Sequence, residues 1–198
     1  MDATDAGDGA ATGEVTPLAS AAAGWDANTE RLLADWRNRA AAAATAHYRL
    51  AYRCRRRNVA LGVPVVVFST VVGTSLFATL NETSVDSDVR LAIGVVSVAA
   101  AVLASLQTFL RFAERAERHV IAADWYSAVR RGIDEALALP PAARKAPAEY
   151  LPTVRKEMSK IGQQAPEIPA PIWGRLAAEH GVDEGPPVRT RAPGSPEA

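Results

Sequence analysis

Two stretches decide the fold: VALGVPVVVFSTVVGTSLFATL (Val59–Leu80) and LAIGVVSVAAAVLASLQTFL (Leu91–Leu110). Neither contains Asp, Glu, Lys, Arg or His. At about 1.5 Å rise per residue they reach roughly 33 and 30 Å as helices, enough to cross a hydrocarbon core of about 30 Å. Asn81–Arg90, which joins them, is too short for a folded domain. A core helix of a small soluble protein keeps a charged or polar face, and these stretches keep none that bears a charge. The mean hydropathy near zero averages two apolar stretches with strongly charged flanks and argues nothing against this. The expectation is an all-α membrane protein: a two-transmembrane helical hairpin with long cytoplasmic helical extensions. The first stretch starts too far into the chain for a signal peptide, and the acidic, Gly/Ala-rich start of the chain lacks a basic n-region.

Charge sets the orientation. Arg49, Arg53, Arg55, Arg56 and Arg57 precede the first stretch with no acidic residue among them, and Arg111, Arg115 and Arg118 follow the second. The joining segment carries Glu82, Asp86 and Asp88 against Arg90 alone. Basic residues beside short segments stay cytoplasmic. Both termini are therefore expected inside a multi-pass protein of the cell's inner membrane. Arg53, Arg55, Arg56 and Arg57 fix topology and can also contact anionic lipid headgroups, at about 1 kcal/mol each. The formal net charge of zero hides this asymmetry. The single cysteine, Cys54, excludes an intramolecular disulfide and a Cys-based metal site.

Three regions follow. Residues 1–24 are small, acidic and aperiodic, and read as a disordered N-terminal tail. Residues 25–163 form the membrane domain. Its leading helix, about 26–58, carries Trp36, the Ala40–Ala44 run, His47 and Leu50 and runs on into the first span. Arg111–Leu139 reads as an extension of the second span, ended by Pro140 and Pro141. A further amphipathic helix falls within 143–163, with Tyr150, Val154, Met158 and Ile161 on its apolar side. Residues 164–198 hold many prolines and read as a disordered C-terminal tail, with at most a turn around Trp173–Glu179.

On a helical wheel the first span gathers Gly62, Ser69, Thr70, Gly73 and Thr74 in roughly 140°, and the second gathers Gly94, Ser97, Ala101, Ala104, Ser105 and Thr108 in roughly 100°. Small residues let membrane helices approach closely, and hydroxyls can bond across them. The candidate packing or pore-lining residues are Ser69, Thr70, Gly73, Thr74, Ser97, Ser105 and Gln107. One reading packs these stripes within the hairpin. The other uses them between copies, because a hairpin cannot enclose a channel alone. Gln107 suits either a pore mouth or a bond to the neighbouring helix, and Pro64 removes one backbone hydrogen bond from the first span. With no charge inside either span, a proton relay or voltage sensor is excluded. No catalytic, cofactor-binding or metal motif is present, so the chain does not read as an enzyme. His47 and His119 each stand about a dozen residues from a span, placed to face one another near Tyr48 or Trp125 as structural rather than ligand histidines.

An ordered string of residues resembles the SLATT superfamily, bacterial two-transmembrane effectors associated with SMODS nucleotidyltransferases and SLOG sensors. It comprises Trp36, AATAHYRLAYRCRRRNVALGVP (Ala43–Pro64), Ser69, Gly73-Thr74 and Phe77, then Gly94 and Ser97. It ends with LQTFLRFAERAERHVIAADWYSAVRRGIDEAL (Leu106–Leu137). The resemblance implies a defence effector that oligomerises into a pore, depolarises the membrane and arrests or kills the cell when a sensor or nucleotide-producing partner signals infection. It implies the lipid bilayer and further copies of the chain as partners, with no nucleic acid. No sensor domain accompanies the match. The rival is a non-conducting membrane scaffold or adaptor that recruits a cytoplasmic partner.

Overall fold

The computed structural model describes residues 24–79 and 86–183. The expected N-terminal tail, most of the segment joining the two apolar stretches, and residues 184–198 lie outside the described residues. The described chain is all helical: α1 (Ala27–Thr79), α2 (Ser87–Leu110), α3 (Phe112–Ala138), a 3-10 turn (Pro141–Ala143), α4 (Pro147–Gln164) and α5 (Ala170–Glu179). At 53 residues, α1 is about 80 Å long. Asp26 caps its N-terminus by accepting from the Thr29 backbone N–H at 2.8 Å. The helix continues through Pro64.

α1 runs antiparallel to α2 and α3. Gly62 meets Gln107, His47 meets His119, and Arg37 pairs with Asp134. The molecule divides along α1 into two seams. The apolar part of α1 packs on α2 through Leu61, Val65, Phe68 and Val72, which are half-buried, facing the half-buried Ile93, Val96 and Leu103 and the buried Ala100 of α2. The first half of α1 packs on α3, with α4 and α5 closing around it. Ala40–Ala44 is buried at every position, as a helix segment surrounded by others must be.

Two helices are thus long and apolar enough to cross a membrane. The most apolar window of α1 buries 0% of its residues inside the chain, and that of α2 buries 6%. A soluble core helix would be mostly buried; here Val66, Leu91, Val98 and Phe109 point outward, Phe109 with 80% of its surface exposed.

Two expectations require correction. The helix after the second apolar stretch is not a continuous extension of it, because Arg111 adopts the left-handed conformation at φ 45°, ψ 41° and separates α2 from α3. The reason is phase. The inward face of α2 runs Ile93, Val96, Ala100, Leu103, Gln107. Continued at 3.6 residues per turn it would turn Glu114 and Arg118 toward α1. The break shifts the inward face by one to two residues, so that Phe112, Ala116, His119, Ala123 and Tyr126 are buried instead. Glu114, left outside, pairs with Arg111 and Arg118.

Nor is the region from 164 onward a tail as far as Asp183. Ala165, Ile168, Trp173, Leu176 and Ala177 are buried, and α5 lies on α1. The prolines that read as disorder sit at turns: Pro169 is the N-cap of α5 and Pro171 lies in its first turn, where the missing N–H costs nothing. Arg144 ties this C-terminal part to the start of α1. Its guanidinium donates to Glu30 at 2.6 Å and to the carbonyls of Leu137 and Leu139, and lies 5.0 Å from the Trp25 ring centroid.

A left-handed arginine costs roughly 1–2 kcal/mol that glycine does not incur. Arg111→Gly is expected to raise the unfolding free energy by about 1 kcal/mol, and Arg111→Val to lower it, since β-branched residues tolerate φ > 0 worst. Denaturant titration in detergent micelles measures both, and equal stability of the two variants would refute the phase argument.

Candidate functional site

The apolar helices carry the stripe read from sequence, and the structure shows which part of it the chain itself uses. Gly62 makes room for a side chain of the facing helix. A Cβ placed there would lie 3.1 Å from Gln107 Nε2, so the Gln107 side chain lies over the bare glycine backbone. Gln107 is half-buried on the α1–α2 seam. Ser97 is also half-buried on the inward side of α2. By contrast Ser69, Thr70, Thr74 and Ser105 are exposed, together with Gly94, Ala101 and Thr108. Gly73 is half-buried, yet a Cβ there would meet nothing within 4 Å, and the same holds at Gly94.

The structure therefore does not bury the two stripes against each other. Bulky residues fill the seam, and the small and hydroxyl residues lie mainly beside it, facing away. Four of the hydroxyls bond within their own helix. Thr70 donates to the Val66 carbonyl at 2.8 Å, Thr74 to Thr70 at 2.8 Å, Ser97 to Ile93 at 2.8 Å and Ser105 to Ala101 at 2.9 Å. Each bond stays within one helix, in the back-bonding pattern that Ser and Thr use where water is absent.

Arg53, Arg55, Arg56 and Arg57 are all exposed on α1 just before its apolar part. Arg57 also reaches across to α3, its guanidinium carbon 6.0 Å from the centroid of Phe112, the first residue past the break. Cys54 is half-buried among them.

A second polar cluster lies in the arms, the parts of α1 and α3 away from the apolar stretches. His47 and His119 are 1% and 8% exposed, and their Nδ1 atoms are 2.9 Å apart. One Nδ1–H donates and the other Nδ1 accepts, which requires at least one neutral imidazole. Burial pushes His47 down to about 4, with repulsion from His119 adding to it. Burial lowers His119 as well. Tyr126 stacks on His47, ring centroids 5.8 Å apart and planes 12° from parallel. Burial raises its phenol to about 12, and Arg39 pulls in the opposite direction. The Tyr126 hydroxyl is buried without a hydrogen-bond partner among the described residues. At the exposed edge, Tyr48 of α1 donates to Asp124 of α3.

The sequence places the two histidines face to face but offers no sign of the Tyr126 stacking. That contact depends on the one-residue break at Arg111, which has no local sequence signal. Among the described residues no group of three or more His, Cys, Asp or Glu side chains is arranged to hold a metal ion. What the histidine pair can do chemically is share a proton. Compared with protein-family models, with curated proteins and with solved structures, the chain has no match in any of the three.

Two expected outcomes separate the seam from the outward stripe. Gly62→Leu must displace Gln107 and part α1 from α2, at a cost of about 1–3 kcal/mol, whereas Gly73→Leu has room and is expected to leave thermal unfolding unchanged. Scanning calorimetry of both in the same lipid decides, and a reversed order would move the seam. Removing an unsatisfied buried hydroxyl is expected to stabilise, so Tyr126→Phe should gain about 1 kcal/mol; a loss of that size would mean the hydroxyl is bonded.

Proposed function

We propose that the protein is a membrane effector that spans the inner membrane as a two-helix hairpin, with both termini and the arms in the cytoplasm, and that several copies assemble into a pore. The observation that carries this reading is the outward stripe. Ser69, Thr70, Thr74 and Ser105, with open space over Gly73 and Gly94, lie on faces that the chain's own helix pair does not cover. Small faces of this kind allow close approach between helices in lipid. Arg53, Arg55, Arg56 and Arg57 support the orientation, since basic residues flanking a span are retained inside. The resemblance of the ordered residue string to the SLATT superfamily supports the class of activity: depolarisation of the membrane in a bacterial defence response, set off by a sensor or a nucleotide signal made elsewhere.

The rival scaffold reading uses the helical arms and the C-terminal tail to recruit a partner. Trp173 and Leu176 are buried and α5 packs on α1, so residues 165–183 belong to the folded arm rather than to a free tail. A truncation that asks whether the tail recruits must begin after Asp183, because an earlier cut would remove part of the core.

Ion flux through proteoliposomes carrying the full chain, with and without a panel of cyclic oligonucleotides, tests the pore. The expected outcome is flux in at least one condition, reduced at least tenfold in both Gly73→Leu and Ser105→Leu. Absence of flux in every condition, with activity in cells abolished by truncation after Asp183, would favour the scaffold.

A further inference from the structure

The seam between α1 and α3 is lined mainly by alanine. Ala40, Ala43, Ala46 and Ala51 of α1 and Ala116, Ala122 and Ala123 of α3 are buried. Alanine brings the backbones close, and Leu33, Leu50, Tyr126, Val129 and Ile133 supply the larger buried surfaces around it. Into this dry seam the chain places two imidazoles in direct contact, one from each arm, with Nδ1 atoms 2.9 Å apart. The contact has two chemical states. With one or no proton beyond neutrality, one ring donates and the other accepts. With both rings protonated, both Nδ1 atoms are donors, and two positive charges confront each other in a site that excludes water.

We propose that the His47–His119 pair is a proton-operated latch: it holds the two arms together while an acceptor nitrogen remains, and releases them when both imidazoles are protonated. The surroundings leave the pair to answer to protons alone. On α3, Tyr126 stacks on His47 with its phenol neutral, and Arg39 of α1 acts on that phenol. Tyr48 and Asp124 satisfy each other at the seam's edge. Toward the apolar helices, Glu114 is paired with Arg111 and Arg118. α5 presents Glu179, engaged with Arg49 at 3.1 Å, and α4 presents Gly162 toward the Tyr126 hydroxyl. Burial and, for His47, the facing His119 are what act on the two rings; no carboxylate contributes.

The sign follows from linkage. The closed seam holds both imidazoles below their ordinary value, so the open form binds more protons, and acid favours opening. Below about pH 6.5 each further unit shifts the open-to-closed ratio by up to tenfold per imidazole, and by up to a hundredfold for the pair. This continues until His47 also titrates in the closed form near 4. The geometry carries the motion toward the apolar helices. α1 is continuous from His47 into its apolar half, whereas α3 meets α2 through the single left-handed residue Arg111. Its consequence for conduction rests on the pore reading, but the latch does not, and its test reads arm separation rather than flux.

The full chain in lipid nanodiscs, with Cys54→Ser and spin labels on Arg53→Cys and Glu117→Cys, is measured by pulsed electron resonance from pH 7.5 to 5.0. The expected result is a reversible lengthening of the interlabel distance with far-UV helicity unchanged. His47→Gln with His119→Gln, whose amides hydrogen-bond but do not titrate, is expected to keep the pH 7.5 distance throughout. An unchanged wild-type distance, lengthening only together with loss of helicity, or opening of the glutamine variant over the same range would each overturn the latch. If the variant does not fold, ¹⁵N-histidine spectra of the wild type decide. Both rings must be neutral at pH 7.5 and take up protons over the range in which the arms part; rings that stay neutral through the opening overturn it.

Discussion

The structure depends on bringing α1 and α3 into phase along a seam of small residues. A run of five buried alanines, Ala40–Ala44, lets α1 serve as the central post against which α3, α4 and α5 pack. Close approach of this kind tolerates no error in rotation, because a helix turned by one residue presents a charged or bulky side chain where only a methyl group fits. The left-handed Arg111 supplies the correction between the face that α2 needs and the face that α3 needs. One strained residue costs little beside the alternative of pointing Glu114 and Arg118 into the seam, which would desolvate two charges.

The two halves of α1 solve their packing by opposite means. In the apolar half, Leu61, Val65, Phe68 and Val72 meet the large residues of α2, and the small residues are displaced to the flank. In the arm, alanines share the core with the fully buried Leu33, Tyr126 and Ile133, and Trp25 and Trp173 are buried where the C-terminal helices close around it. In water the arm gains from burying these aromatics. In a bilayer the apolar half would not gain in the same way, since lipid tails solvate Leu and Val as well as another helix does. What it retains is an outward stripe on which Thr70, Thr74 and Ser105 are already hydrogen-bonded within their own helices, which leaves it available for contact with other helices.

Much of this architecture was legible in the sequence because it rests on signals that add up over many residues. Forty-two uncharged residues in two runs announce the apolar helices, and the spacing of Tyr150, Val154, Met158 and Ile161 announces α4, whose Val154 and Ile161 are buried. What was illegible rests on single positions. Nothing at Arg111 marks it as a break, since a glycine or asparagine there would have and an arginine does not. Prolines at 166, 169 and 171 looked like disorder because composition cannot distinguish a proline that ends order from one that starts a helix. Wheel positions grouped Ser97 with Ser105 and Thr108, whereas Ser97 is half-buried and the other two are exposed, and they could not show that bulky neighbours form the seam. That depends on how two helices roll against each other, which one helix alone does not encode.

The same reasoning bears on why a histidine pair occupies the centre of the arm. A well-packed apolar pair of similar volume would generally be no less stable than buried polar groups, and the alanine seam around it shows that the chain can build apolar packing there. The pair gives the seam a dependence on conditions that alanine lacks. Two polar contacts across α1 and α3, Tyr48 with Asp124 and Arg37 with Asp134, lie at exposed or half-exposed side chains where solvent screens them. Among the described residues His47 and His119 are the buried histidines, and burial holds both below the ordinary imidazole value while they are in contact. The seam thus carries, among its apolar contacts, one buried contact whose state depends on protons. The continuous α1 then provides the direct mechanical route from that contact to the apolar half of the molecule.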